Sequence, residues 1–306
     1  MTGLRRKEST GDAGNTLWLG FAFGLSCAVI WGVQAVISRQ SVIDGLTTGD
    51  VAIIRLLTSG LLLLPLALRN RPFPVGRLGW GRALVLTALA GTPYSLVLVG
   101  GVAFAPALHS AVIASGLIPL FSAALAFMVL KERPTASKII GLGVVIIGIG
   151  VFSREALALA PAREGAWRGD LLFVLSAAMW SLFGLLARRW AIDAIAATMT
   201  ICVLSLLTLP VWAGFFPLRL ASVAPSAIVL QALYQGVLVG VVSLFLYART
   251  VALLGVTRAS LFSSLLPGVT AFAGFLLLGE VPSISEIVGT VIVMSGMFLV
   301  FRSNGA

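Results

Sequence analysis

The sequence predicts an all-α membrane protein of ten transmembrane helices, arranged as two inverted five-helix repeats. Three observations predict this fold class: the composition, the number of long apolar runs, and an internal repeat that covers nearly the whole chain. Of 306 residues, 59% are hydrophobic and 10% are charged, against roughly 25% charged in an ordinary soluble domain. A soluble domain of this size leaves too much of its chain exposed to hide so much apolar surface, so lipid is the predicted solvent.

Ten apolar runs are bounded by charge, proline or glycine and are long enough to cross the hydrocarbon core, which takes about 20 residues of helix. Helices are the predicted conformation because unpaired backbone groups find no partner in lipid. The fifth run is the shortest. The runs fall at roughly 17–38, 51–68, 82–104, 107–130, 138–153, 169–189, 196–216, 226–251, 257–279 and 285–301.

The first run follows Arg5, Arg6 and Lys7, as the apolar region of a signal peptide would. It continues to about Ile37 and lacks a small-residue cleavage site. We therefore expect an uncleaved first helix after a cytoplasmic tail of residues 1–16.

Polar and helix-breaking residues mark the second and third helices. Arg55 lies about one turn below the outer end of the second helix. There we expect its side chain to reach the surface or to pair with Asp50 or Asp44. In the third helix, Thr92 and Pro93 are expected to interrupt the helical hydrogen bonds, because proline has no N–H to donate.

The distribution of basic residues predicts the orientation in the membrane. If the N-terminus is cytoplasmic, fifteen Lys and Arg residues lie inside, five lie outside, and Arg55 falls within the second helix. This bias predicts that both termini are cytoplasmic. The preference for Arg over Lys and the richness in Ala, Gly and Leu predict a bacterial inner membrane.

The second half of the chain repeats the first. At one sequence offset Pro119 falls on Pro267, Glu132 on Glu280 and Pro134 on Pro282. At an offset one residue larger, Trp31 falls on Trp180 and Arg39 on Arg188. An odd number of helices per repeat gives the halves opposite orientations, as in secondary transporters whose substrate site lies near the midplane. The predicted units are repeat 1 (17–153, helices 1–5), an external linker (154–168) and repeat 2 (169–302, helices 6–10).

Several motifs are shared with a known family. They are Trp31-Gly32, Gln34 and Arg39 in the first helix, Arg55 in the second, and Pro119 and Pro267 followed by Lys131-Glu132-Arg133 and Gly279-Glu280. With these motifs the sequence resembles the EamA-type exporters of the drug/metabolite transporter superfamily, over nearly the whole chain. The resemblance implies export of amino acids, other metabolites or drugs through a central cavity lined by helices 1, 3, 4, 6, 8 and 9. Within this family, the sequence as a whole most resembles the exporters of aromatic and other neutral amino acids.

The acidic residues favour a substrate without net charge. All of them lie at or near helix ends, so no carboxylate is available in mid-membrane to bind a cationic drug or to relay protons. A zwitterionic amino acid fits a cavity of aromatic, amide and hydroxyl groups, because aromatic faces attract its ammonium. Family members that exchange nucleotide sugars or triose phosphates need several cationic residues in the cavity, and this sequence offers too few.

Aromatic and amide residues are the first candidates for substrate contacts. Trp31 and Trp180 occupy matching mid-helix positions, and an indole N–H in lipid needs an acceptor. Gln34, one turn after Trp31, and Tyr94, directly after Pro93, are further candidates. The alternatives are packing for the tryptophans and an interhelical hydrogen bond for Gln34.

Hydroxyl groups and the single histidine complete the predicted substrate site. Ser115, Ser243, Ser264 and Tyr234 are hydroxyl donors within apolar helices. Serines also bond their own helix backbone, which is the alternative for each. His109 is either a titratable group near the substrate path or a structural histidine at a helix end. Tyr234 and Gln235 point about 100° apart on a helix, so at most one is expected to face the cavity.

Pro119 and Pro267 are either static kinks or hinges that let half-helices move during alternating access. We predict no metal site and no cofactor, because one histidine and two cysteines in apolar segments do not suffice for one. Enzymatic activity is not predicted. The predicted function is export of neutral or aromatic amino acids, or of similar small metabolites, with export of drugs or other metabolites as the alternative.

Overall fold

The computed structural model describes residues 10–69, 78–158, 165–215 and 218–303. Most of the predicted cytoplasmic tail and part of the predicted linker lie outside these ranges. Arg5, Arg6 and Lys7 are among the residues that are not described.

Ten helices in the described ranges are long and apolar enough to cross a membrane, which confirms the predicted all-α membrane fold. The same ranges contain no β-strand. In chain order the helices are α1 (Leu17–Ile43), α2 (Thr48–Arg69), α3 (Trp80–Phe104), α4 (Ala107–Leu130), α5 (Ala136–Arg154), α6 (Ala166–Arg189), α7 (Ala194–Phe215), α8 (Pro225–Leu254), α9 (Arg258–Leu278) and α10 (Ile284–Arg302).

Some helices extend beyond the apolar runs that predict them. The helix that contains α1 begins at Thr10 and continues through Arg39 to Ile43. The helix that contains α5 runs on to Ala158. Backbone hydrogen bonds hold a helix together whether its side chains are apolar or polar, so hydropathy alone underestimates helix length.

Two helices begin with reciprocal caps formed by a hydroxyl and a carboxylate. At the start of α2, Thr47 N donates to Asp50 Oδ2 at 2.8 Å, and Asp50 N donates to Thr47 Oγ1 at 3.1 Å. At the start of α10, Ser283 N donates to Glu286 Oε2 at 2.7 Å, and Glu286 N donates to Ser283 Oγ at 3.2 Å. The spacing of these residues is that of a capping box, which satisfies N–H groups that the helix itself leaves unpaired.

The predicted interruption of α3 is confirmed. Two helical segments, Trp80–Ala90 and Thr92–Phe104, meet at Gly91, and Pro93 lies in the first turn of the second segment. A Cβ atom at Gly91 would lie 2.5 Å from Ser205 Oγ of α7, so the absence of a side chain allows this close approach.

Three other helices depart from regular α geometry. α4 contains π-helical stretches at Ser110–Ala114 and Ala126–Leu130, and α8 contains one at Ala232–Val242. In α9 a 3₁₀ segment, Phe262–Leu265, directly precedes Leu266 and Pro267. π-helical stretches often occur where a helix serves function rather than stability alone.

Successive helices cross the bundle in opposite directions, so their termini lie at two ends, which we call distal and proximal. The distal end holds the last residues of α1, α3 and α9 and the first residues of α4, α6 and α10. The proximal end is opposite and includes the last residues of α4 and α6. α1 packs against α8 and α9, α6 packs against α3 and α4, and α5 pairs with α10. A buried cluster of Ile54, Val99, Val102, Ile113 and Phe173 joins α2, α3, α4 and α6.

Candidate functional site

Four of the predicted substrate residues form two pairs. Trp31 Nε1 of α1 donates to Ser243 Oγ of α8 at 3.0 Å. The rings of Tyr94 in α3 and Trp180 in α6 have centroids 5.2 Å apart. Trp31 matches Trp180, and Tyr94 matches Ser243, at one and the same sequence offset. The two contacts are therefore equivalent in the predicted repeat, although one is a hydrogen bond and the other an aromatic contact.

The surroundings of Trp31 are compact. Its ring lies 5.4 Å from that of Tyr247. Ser243 is buried and donates to Val239 O at 2.7 Å. A narrow crevice, too small to hold a water molecule, borders this group and is lined by Gly24, Cys27, Ala28, Trp31, Tyr247, Ala259, Phe262 and Ser263. The indole N–H has its acceptor within the protein, as a group inside a membrane requires.

Polar side chains of α8 bond the backbone of α1. Tyr234 Oη donates to Ile30 O at 2.9 Å. Gln235 Nε2 donates to Ser38 Oγ at 2.8 Å and to Gln34 O at 3.2 Å. Both side chains thus reach α1, while the side chain of Gln34 is half-buried. These bonds fasten α1 to α8 and are the interhelical contacts expected of polar groups in a membrane bundle.

The remaining predicted hydroxyl and proline positions have simpler surroundings. Ser264 Oγ donates to Leu261 O of its own helix at 2.6 Å, which is the structural alternative for a serine in a helix. Ser115 is half-buried at the end of the first π-helical stretch of α4. Pro119 and Pro267 are buried. Their predicted role as hinges stays a prediction.

The expectation that Arg55 pairs with Asp50 or Asp44 is wrong. Asp50 accepts hydrogen bonds from its own helix cap and from Arg219 N at 3.1 Å. Asp44 accepts from Gln40 Nε2 at 2.7 Å. Both carboxylates are engaged locally, so they do not draw the arginine toward the distal surface.

Arg55 instead points into the bundle. Its Nη1 atom is buried and has no hydrogen-bond partner among the described residues. Its electrostatic neighbours are Tyr94 in α3 and Cys202 in α7, both well inside their helices. A guanidinium nitrogen without a partner in this environment is costly unless water or an anionic group solvates it. Tyr94 also contacts Trp180, so the cation lies beside an aromatic pair.

His109 sits between two carboxylates at the distal end. Its side chain is 1% exposed, and Nδ1 lies 2.7 Å from Asp170 Oδ1 of α6 while Nε2 lies 3.4 Å from Glu286 Oε1 of α10. The edge of the ring faces Phe152 of α5, with centroids 5.0 Å apart. In the sequence His109 has no acidic neighbour, so the two acids are brought to it by the tertiary structure alone.

Two ion pairs lie at opposite ends of the bundle and join residues that match in the predicted repeat. At the distal end Arg39 Nε lies 3.6 Å from Glu280 Oε1. At the proximal end Arg188 Nη1 donates to Glu132 Oε2 at 3.0 Å and Nη2 donates to Oε1, a bidentate arrangement. The hydrogen bonds from Arg188 lower the pKa of the Glu132 carboxyl below its ordinary value.

The distal pair has additional partners. Arg39 Nη1 donates to Val102 O at 2.6 Å and to Ala103 O at 3.2 Å, at the end of α3. Glu280 accepts from Ala107 N at 3.2 Å, at the start of α4. One ion pair thereby joins α1, α3, α4 and α9 at the distal end.

Within the described ranges, no cluster of three or more His, Cys, Asp and Glu side chains has the arrangement of a metal site. Arg55 and the group of His109, Asp170 and Glu286 are the features that sequence reasoning misjudged or missed. A signal for Arg55 existed in the sequence, because an arginine inside an apolar run is a functional candidate by default. Nothing in the sequence indicated which acids contact His109.

Comparison with protein families gives two matches along the chain. Residues 18–154 and residues 167–302 each match the EamA-like transporter family. Together they extend over all ten helices. The predicted resemblance is confirmed.

Individual relatives agree with the family match. The chain is 30% identical over 280 residues, 85% of this chain and 86% of the relative, to a Streptantibioticus cattleyicolor protein described as "Probable terminal-alkyne amino-acid exporter". It is 25% identical over 187 residues, 60% of each chain, to the transporter YyaM of Bacillus subtilis. A solved crystal structure 15% identical in sequence superposes with a TM-score of 0.62, over 92% of this chain and 94% of that chain.

Proposed function

Because this chain belongs to the EamA-like transporter family, we propose that it exports neutral amino acids, or small zwitterionic metabolites like them, by alternating access. The observation that carries the choice of substrate is the buried Nη1 atom of Arg55, which has no hydrogen-bond partner in the described part of the chain and belongs to a cation beside Tyr94, the residue that contacts Trp180. In this proposal the distal end faces outward, and both termini lie in the cytoplasm of a bacterium.

The chemistry of Arg55 and its neighbours fits a zwitterion. A carboxylate binds a guanidinium by paired charge-assisted hydrogen bonds. The ammonium of the same substrate finds the electron-rich faces of Tyr94 and Trp180 nearby. A cationic drug would be repelled by Arg55, and a phosphorylated sugar would need more than one such cation.

Relatives with similar sequences support this substrate class. The Streptantibioticus cattleyicolor protein carries an amino-acid exporter as its description, and it matches most of the length of both chains. Family members also export drugs and other metabolites, which makes drug export the alternative that an experiment has to exclude.

The two ion pairs support alternating access. They occupy equivalent positions in the predicted repeat at opposite ends of the bundle, yet the distal pair is tied into four helices and the proximal pair is exposed. Bound substrate at Arg55 is therefore sealed from the distal side more tightly than from the proximal side. Exchange of these two arrangements between the ends would carry the substrate across.

Uptake into proteoliposomes tests the proposal. We expect saturable uptake of radiolabelled neutral amino acids, and competition by unlabelled amino acids but not by their amides, which lack the carboxylate. R55Q should lose uptake. R55K should retain part of it, because a lysine keeps the positive charge but cannot form the paired hydrogen bonds of a guanidinium. R82Q is the matched control, since Arg82 lies over the Trp190 ring, away from Tyr94.

Two results would contradict the proposal in different ways. Equal competition by amino acids and their amides would remove the carboxylate from recognition. Uptake of organic cations, with none of amino acids, would establish the drug-export alternative.

A further inference from the structure

We propose that His109, Asp170 and Glu286 form a proton-binding site, and that a proton taken up from the distal side keeps the distal end of the transporter closed. The substrate site at Arg55 and this proton site are separate in the fold. The inference rests on the proposed transport function for its consequence, but the proton site itself is a property of the three side chains.

The geometry of the imidazole shows where the proton is held. Nδ1 faces Asp170 Oδ1 at 2.7 Å, and Nε2 faces Glu286 Oε1 at 3.4 Å, which is an ion-pair distance rather than a full hydrogen bond. Ionised carboxylates only accept hydrogen bonds, and neutral imidazole donates from one nitrogen. Two carboxylates on opposite nitrogens therefore match an imidazolium, which donates from both.

Two carboxylates and one aromatic ring surround His109. Asp170 approaches from α6 and Glu286 from α10, while α5 contributes the apolar ring of Phe152. Glu280, just after the end of α9, lies further along the same distal surface and is paired with Arg39. With the proton bound, His109, Asp170 and Glu286 carry a net charge of −1, and without it they carry −2.

A route for protons leads from the distal side. Glu286 lines a cavity of about 100 Å³, partly open to the surroundings, together with Pro106, Leu108, Thr270, Ala271, Gly274, Glu280, Val281 and Pro282. Asp170 is 24% exposed, whereas His109 is 1% exposed. Asp170 therefore reaches the distal surface, whereas Glu286 is buried and borders the cavity, and the two acids shield the histidine between them.

Loss of the proton destabilises the closed distal end. One imidazole nitrogen would then present its lone pair to a carboxylate oxygen, and the two acids would repel each other in surroundings of low dielectric constant. The three side chains belong to α4, α6 and α10, so relief of this repulsion separates those helices. Ser110, the next residue after His109, begins a π-helical stretch in which the backbone can change register.

The movement connects to the distal ion pair. Ala107, two residues before His109, donates its N–H to Glu280, the partner of Arg39. A shift at the start of α4 therefore also disturbs the contact that joins α1, α3, α4 and α9. In this way the proton on His109 controls opening of the end through which substrate leaves.

The first experiment reads the proton directly. His109 is the single histidine of the chain, so protein labelled with ¹⁵N-histidine and carrying a histidine-free tag gives one pair of ring signals. We expect both nitrogens to be protonated at pH 7. In E286Q and D170N the ratio of charged to neutral imidazole should fall about tenfold or more, because each variant removes one carboxylate partner.

D193N is the matched control for these variants. Asp193 caps α7 at the proximal end through Ala196 N at 2.9 Å, so it is the same substitution without contact to His109. Its histidine signals should equal those of the wild type. A single neutral tautomer in the wild-type protein at pH 7 would overturn the proposal, whatever the protein transports.

The second experiment measures whether the proton on His109 controls opening of the distal end. Exchange of labelled for unlabelled amino acid across proteoliposomes is measured at two values of distal pH with the proximal pH held constant. We expect slower exchange at the lower distal pH in wild type and D193N, and a ratio of the two rates near one in H109Q. If H109Q keeps the wild-type ratio, the site does not control opening.

Failure of the proposed function has a different signature. Wild-type protein that exchanges no amino acid would contradict amino-acid transport, while the ¹⁵N signals would still decide whether the proton site exists.

Discussion

The distal and proximal ion pairs join the same residue types at equivalent positions of the predicted repeat, yet their surroundings differ. Arg39 and Glu280 are 26% and 25% exposed, whereas Arg188 and Glu132 are 62% and 46% exposed. The distance between the charged atoms is longer in the distal pair, but this pair has more partners. Backbone groups of α3 and α4 also bind its two side chains. The proximal pair is bidentate and is the more exposed of the two.

This difference shows that a local sequence motif does not determine the energy of the contact it forms. A surface ion pair contributes little because water competes for both charges. A pair that is largely withdrawn from water, with each charge also bonded to backbone, is costly to break because an unpaired charge remains. We therefore expect the same two residue types, Arg and Glu, to hold the distal end of the bundle more firmly than the proximal end.

The largest effect is expected from reversing each pair. The double variant R39E/E280R places a carboxylate against the carbonyl oxygens of Val102 and Ala103, so we expect it to lose about 3 kcal/mol of unfolding free energy. The proximal counterpart R188E/E132R restores its pair in water and should stay close to wild type. Reversible unfolding in mixed detergent micelles, followed by tryptophan fluorescence, measures both, and equal losses at the two ends would contradict the comparison.

Removing one charge sharpens the same comparison. E280Q leaves Arg39 without its carboxylate in a half-buried site, and we expect a loss of about 1–2 kcal/mol. E132Q leaves an exposed Arg188 that water solvates, so its loss should be smaller. A larger loss for E132Q in the same unfolding assay would show that the proximal end is the tighter one.

Glu280 follows a glycine and Glu132 follows a lysine, so substitutions at these two preceding positions measure backbone strain separately from the ion pairs. Gly279 (φ 65°) and Lys131 (φ 59°) end α9 and α4 in the same left-handed conformation. No atom lies within 4 Å of a Cβ built on Gly279, so G279A should cost about 1 kcal/mol through conformation alone. K131G should stabilise the proximal end by up to about the same amount. Stabilisation of the protein by G279A would show that the left-handed turn carries no strain.

The smallest effect concerns the pH dependence of the proximal pair. Arg188 lowers the pKa of Glu132 from its ordinary 4.5, so the pair contributes fully above that value and loses its contribution as pH falls through the lowered pKa. The difference in stability between wild type and E132Q should therefore be constant at neutral pH and shrink only in acid. A difference that grows on acidification would mean that Glu132 is stabilised in its protonated form instead.

Local properties of the chain predicted much of the architecture. The ten helices, the break beside Thr92 and Pro93, and the matching of Trp31 with Trp180 all follow from hydropathy, proline chemistry and register. The prediction for Arg55 was wrong because nearness in sequence to Asp50 suggested a pair, whereas Asp50 is occupied by its own helix cap and by Arg219.

The sequence by itself determined that this chain has ten helices long and apolar enough to cross a membrane, that it belongs to the EamA-like transporter family, and which residues recur in its two halves. These features depend on side-chain hydrophobicity and on spacing along a helix, which are readable one segment at a time. Only the tertiary structure decided that His109 lies between Asp170 and Glu286, that Arg55 faces Tyr94, and that one of two equivalent ion pairs is withdrawn from water. Such contacts join segments distant in sequence, and electrostatic energy depends on burial and on the third and fourth neighbour of each charge.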